Sequence, residues 1–135
     1  MQNFYFDTDG FQDSEERLKE NFNEVGGFAL CELLQSALKG SGFQVEEIFP
    51  EDYGWAFDAS INEIRYFCSA SVDPVDEDEQ GQFSHFANLN IERKRSFLEK
   101  LRGRNKIDLN DPAVKAVHSA LDNHADVQNL KSSLF

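Results

Sequence analysis

The chain has 135 residues, a formal net charge of −12, 13 phenylalanines, one tryptophan and two cysteines. That length makes a single domain over residues 1–135, whose core can close without a metal or a disulfide. The charge argues against direct binding to DNA, RNA or an anionic membrane, and no run of about 18 apolar residues offers a membrane span.

In chain order, the first residues, MQNFYFDTDGFQD, lack the basic region, apolar stretch and cleavage site of a signal peptide. A cytoplasmic setting is therefore expected, with Cys31 and Cys68 as buried thiols, neither in a C-x-x-C pair. Phe4, Tyr5 and Phe6 begin a short strand, and residues 7–10 read as a turn. Asp13 and Glu16 have the spacing of a capping box, predicting a helix from near Ser14 with Leu18 and Phe22 buried. Gly26 and Gly27 weaken any continuation, each by ~1 kcal/mol relative to alanine. A second helix, or a kinked extension of the first, then runs to about Lys39. Its apolar stripe is Phe28, Leu30, Cys31, Leu33, Leu34, Ala37 and Leu38, and Gly40 and Gly42 end it.

Residues 43–49 form the next strand, with Phe43, Val45 and Glu47 on one face. The stretch FPEDYGWAFD follows over residues 49–58. Pro50 fixes a turn, and Tyr53, Trp55, Phe57, Ala59 and Ile61 alternate with smaller or polar residues, the period of a half-buried strand. Gly54, between two aromatics, marks a bulge or a close backbone approach. The turn has two readings. Either it leads into a core aromatic ladder, or Glu51, Asp52 and Tyr53 rim a recognition surface with Trp55 as its floor. Ile61, Asn62 and Glu63 reverse the chain, and Ile64, Tyr66, Cys68, Ala70 and Val72 alternate again, so an antiparallel hairpin is expected.

The segment DPVDEDEQG, residues 73–81, carries five acids. It lacks the ligand spacing of an EF-hand and reads as a solvated loop in which Asp76, Glu77, Asp78 and Glu79 present negative charge to a partner. Residues 83–91 form a further strand with Phe83, His85, Ala87, Leu89 and Ile91 on one face. A short helix follows through Phe97, Leu98 and Leu101, ending near Gly103. Seven of the 13 bases lie between Arg93 and Lys106, either as a solvated face pairing with acidic surface or as a phosphate or nucleic-acid patch, against which the overall acidity counts. Asp111 and Pro112 are an N-cap and a first helical residue, with Val114, Val117, Ala120 and Leu121 buried. Residues 127–135 add an edge strand or pack over the core.

No nucleophile elbow, phosphate-cradling loop or dinucleotide fingerprint is present. His118 and Asp122 stand four apart on one helix without the further ligands a zinc site needs. No catalytic residue, metal ligand or cofactor is assigned.

Gly42, Pro50, Glu51, Asp52, Tyr53, Gly54 and Trp55, with the later basic helix and Asp-Pro-led helix, resemble a group of small, mostly uncharacterised bacterial proteins with a Pro-Glu-Asp-Trp-Gly-Trp-type motif. Tyr53 stands where that group has tryptophan, and the resemblance covers residues 28–125. It implies a fold and no activity.

The expected fold is α+β, an antiparallel sheet of four to five strands with helices packed on one face. The expected function is a non-enzymatic acidic protein that occludes a basic or nucleic-acid-associated protein partner, as an immunity-type or DNA-mimicking anti-defence inhibitor does. Two alternatives stand beside it. One is a small enzyme or ligand-binding domain with a pocket around Trp55, using Glu51, Asp52 or His85. The other is a self-associating structural protein. Residues 1–92 hold 20 acids and 4 bases, whereas residues 93–135 hold 5 acids and 9 bases. That asymmetry predicts an acidic and a basic region on the folded chain.

Overall fold

The computed structural model describes residues 1–76 and 82–134; Glu77, Asp78 and Glu79 of the acidic segment lie outside the described residues. In order, the elements are β1 (Gln2–Thr8), α1 (Glu15–Lys19), α2 (Phe28–Gly40), β2 (Gln44–Val45), β3 (Phe49–Glu51), β4 (Gly54–Ile61), β5 (Ile64–Pro74), β6 (His85–Arg93), α3 (Phe97–Leu101), α4 (Pro112–Asp122) and β7 (Gln128–Leu134). The fold is α+β. One antiparallel sheet runs β2-β4-β5-β6-β1-β7, and β3 pairs with β4 on the same edge as β2.

Seven strands replace the four to five expected. Part of the excess is β7, which pairs with β1; part comes from the strand expected over residues 43–49, which is two strands. Val45 lies opposite Ala59 and Phe49 opposite Ala56. Four steps on the edge strand therefore span three on β4, and the extra residue is a bulge. It inverts the side-chain alternation. Phe49, which strict alternation would place with Val45, instead turns to the other face of the sheet, where its ring lies 6.3 Å from that of Phe67.

The N-terminal helix also departs from expectation. Ser14 is the N-cap of α1, accepting from the Arg17 amide, and the helix ends at Lys19. Phe22, expected to be buried one turn after Leu18, is 94% exposed because the helix stops before reaching it. Asp13 serves the next helix instead. Its carboxylate accepts the amides of Gly27 and Phe28 at 3.0 and 2.9 Å and that of Ala29 at 2.9 Å, capping α2 from fourteen residues upstream. Gly27 has no side chain to do this, and its φ of 143° suits only glycine. A β-carbon there would come within 2.4 Å of the Ala70 carbonyl oxygen. The two helices are thus separate, and the glycine pair seats the chain against β5.

The β4–β5 hairpin forms as expected, turning through Asn62 and Glu63, both at positive φ, the geometry that matches strand twist in a two-residue turn. The core unites Leu30, Leu34 and Leu38 of α2 with Val114, Val117 and Leu121 of α4, and these with Trp55, Phe57, Tyr66, Leu89, Ile91, Phe4 and Phe6 of the sheet. Asp111 caps α4 through the Ala113 amide at 2.8 Å and accepts the Tyr66 hydroxyl at 2.9 Å, tying helix to sheet. Among the described residues no helix is long and apolar enough to cross a membrane.

Candidate functional site

The bulge between β2 and β3 opens a groove of about 700 Å³ between that sheet edge, α2 and the end of α1. On α2 the lining residues are Phe28, Glu32, Gln35 and Lys39, at the i, i+4, i+7 and i+11 spacing that keeps side chains on one helical face. The Gln35 amide donates to the Glu46 carbonyl at 2.7 Å, fixing the bulge to the helix. Phe28, Val45, Ile48, Pro50 and Trp55 supply the apolar part of the groove lining. Its rim carries Glu20, Glu32, Glu46 and Glu47 against Arg17 and Lys39. Arg17 is already committed, with its guanidinium 3.7 Å from the Phe28 ring centroid and 2.8 Å from the Glu20 carboxylate. Three carboxylates facing one lysine remain, and Glu32, Glu46 and Glu47 are all exposed. A groove lined by apolar side chains among exposed carboxylates has the chemistry to take a cationic, amphipathic segment.

The structure places the expected site residues differently from one another. Trp55 is 1% exposed. Its indole N–H donates to the Val25 carbonyl at 2.8 Å, and its ring meets Phe28 edge to face at 5.2 Å. It is both a core side chain and the inner wall of the groove. Glu51, opposite Gly54, closes the β3–β4 turn, and Asn21 ties that turn down by donating to the carbonyls of Glu51 and Gly54 at 2.8 and 2.7 Å. Asp52 is exposed, and its carbonyl accepts from Asn23 at 2.7 Å. Tyr53 is half exposed and reaches toward Ser69. Burial, then the neighbouring Glu51 carboxylate, pushes its hydroxyl above the ordinary tyrosine range. Glu51, Asp52 and Tyr53 thus stand beyond the groove, outside its lining. Asp76 is exposed and does not line the groove.

Sequence reasoning missed the acids that form the rim. Their signal was present in two places. Glu32 follows Phe28 by four residues on the polar flank of α2, and Glu46-Glu47 interrupts an alternating strand. What the sequence did not supply is the bulge that brings the two together.

Other reactive groups are dispersed. His118 stacks on Phe4 at 5.6 Å, His124 lies 4.9 Å from Phe11, and the Nδ1 atom of His85 is 2.7 Å from the Ser84 hydroxyl. Cys31 and Cys68 are buried and unbridged. Burial, then the carboxylates of Asp58 and Asp111, push Cys68 up to about 12, and burial, then the neighbouring Cys68, raises Cys31. Among the described residues no group of three or more His, Cys, Asp or Glu side chains is placed to hold a metal ion. Comparison with protein-family models, with curated proteins and with solved structures found no match for this chain.

Proposed function

We propose that this is a non-enzymatic acidic protein that captures and occludes a basic protein partner, with the groove beside Trp55 as the principal docking site. The observation that carries the reading is the pairing of an apolar lining with unneutralised carboxylates at Glu32, Glu46 and Glu47 on a chain of net charge −12. Field and lining act at different ranges. The summed negative charge speeds encounter with a cationic surface, and apolar contact with Phe28, Ile48 and Pro50 holds the partner once water is displaced. Glu51, Asp52 and Tyr53, projecting just past the groove, extend the contact, and the acidic segment containing Asp76 to Glu79 adds to the field. An immunity-type or nucleic-acid-mimicking inhibitor works in this way. We read α2 and α4 as covering one face of the sheet, and the edge with the groove as the working edge.

Membership of the Pro-Glu-Asp-Trp-Gly-Trp group belongs to the same proposal. A reason for its glycine supports it: a β-carbon on Gly54 would lie 2.2 Å from the Ala70 carbonyl oxygen, so the strand after the turn can approach β5 only with glycine there.

The test is a tagged pull-down from host lysate at low and high salt, with the wild-type protein and with a Glu32→Lys/Glu47→Lys variant. A basic protein retained by the wild type at low salt, shed at high salt and lost by the variant is the expected result. Capture that ignores both salt and the variant would move the contact away from the groove. A protein that retains no macromolecule but shows a Trp55 fluorescence change with a small cationic compound would favour the ligand-binding alternative.

A further inference from the structure

Helix α3 leaves three large apolar side chains in water. Phe97 is 76% exposed, Leu101 71%, Leu98 58% and, farther along the segment, Leu109 58%. Phe97 and Leu101 stand four apart on one face of the helix. The turn is well made all the same. Ser96 and Glu99 form a reciprocal capping box, and Asn105 also donates to the Glu99 carboxylate. Both groups consume the segment's acid, and the Glu99 carboxyl is held below its usual range first by Asn105. Seven bases lie between Arg93 and Lys106 against that single acid. Among the described residues Lys100, Arg102, Arg104 and Lys106 form no ion pair, whereas Arg93 and Lys94 reach Asp111 and Asp58. A capped, exposed turn with apolar side chains and a cationic surround has the composition of an interaction surface.

We propose that its occupant is a second copy of this chain: α3 of one molecule docks into the acidic groove of another. The two surfaces are complementary in both respects. Apolar Phe97 and Leu101 meet Val45, Ile48 and Pro50 beside the Arg17-covered Phe28 ring, and the cations around α3 meet Glu32, Glu46 and Glu47. Opposite charge recommends this partner over an anionic membrane, which the remainder of the chain, at 20 acids to 4 bases over residues 1–92, repels. The contact joins different patches on the two copies, so it is head-to-tail and propagates unless the rotation closes a ring. It rests on the reading of the groove as a docking site and deepens it: self-contact would keep the groove covered until a stronger basic partner displaces α3.

Sedimentation velocity tests this with the full chain and two exposed-surface variants, Phe97→Ser/Leu101→Ser and Glu32→Lys/Glu47→Lys, each checked for its fold by circular dichroism. One helical turn makes a small interface, so wild-type association with Kd on the order of 10–100 µM is expected, weakening about tenfold or more from ~50 to ~500 mM salt. Each variant alone sediments as a monomer. Mixed, they form a capped one-to-one dimer, since one retains its groove and the other its α3; an interface that pairs α3 with α3 cannot give that result. A wild type that stays monomeric at concentrations well above this range, self-association that survives Phe97→Ser/Leu101→Ser, or vesicles rich in phosphatidylserine as the only surface that retains α3 would each overturn the inference. Failure here is distinguishable from failure of the groove. A monomeric wild type whose basic partner is still lost on Glu32→Lys/Glu47→Lys retains the docking site and loses only the self-contact.

Discussion

At the residue scale, Asp13 shows how far apart in sequence a cap and its helix can lie. Three amides at the start of α2 converge on its carboxylate, and the charge also faces the positive end of a thirteen-residue helix. Replacing Asp13 with alanine leaves those donors without a protein acceptor, and an N-cap loss of this kind costs about 1–2 kcal/mol. Urea unfolding of Asp13→Ala should show that loss, with Asp13→Asn intermediate because it keeps oxygen acceptance without the charge. Equal stability of all three would mean that water replaces the carboxylate at no cost. The two thiols make a second prediction at this scale. Their pKa values are higher in the folded chain than the ordinary thiol value of 9.0, with Cys68 at about 12. Folding thus favours the protonated form. The associated stability is complete below about pH 9 and declines as pH rises from 9 toward 12, because the unfolded chain ionises first. Native protein at pH 8 should accordingly resist iodoacetamide at both cysteines and react at both in denaturant. Rapid modification of the native chain would show that Cys31 or Cys68 is accessible.

At the element scale, helical spacing told which residues could share a face but not how long the helix would be. Leu18 and Phe22 have the i, i+4 relation, yet α1 ends at Lys19 and Phe22 is in water. Phe22→Ser should leave the urea midpoint unchanged, whereas Leu34→Ala, at a site with no exposure in the α2 stripe, should cost about 2–5 kcal/mol. A large effect of Phe22→Ser would require a contact made only by self-association. The β4–β5 hairpin, the α4 cap and the α2 stripe were all legible, because alternation, Asp-Pro and a broad 3.6-residue period are local signals. The bulge at residues 46–48 was not legible. It is a mismatch between two strands, visible only once Val45 and Phe49 have partners on β4. The candidate groove exists because of that mismatch, so its acids went unread while Trp55, a neighbour in sequence of an obvious turn motif, was read at once.

At the scale of the whole molecule, charge separates what holds the chain together from what brings chains together. The sequence has 25 acids, but among the described residues only three ion pairs form: Arg17 with Glu20, Arg93 with Asp111, and Lys94 with Asp58. Two of these are exposed pairs, of the kind that contributes little. Among the described residues most carboxylates therefore have no cationic partner, and their mutual repulsion opposes the compact state. Added salt screens that repulsion over a Debye length that falls from about 30 Å at 0.01 M to about 8 Å at physiological ionic strength. The melting temperature should accordingly rise by a few degrees as sodium chloride is raised over this range, while association through the groove weakens over the same titration. Opposite salt dependence of folding and binding follows when like charges predominate within a molecule and opposite charges meet between molecules. A melting temperature that fell with salt would show that attraction between the acidic and basic segments dominates the folded chain. In that case the cations around α3 would be engaged with their own molecule and not available to another.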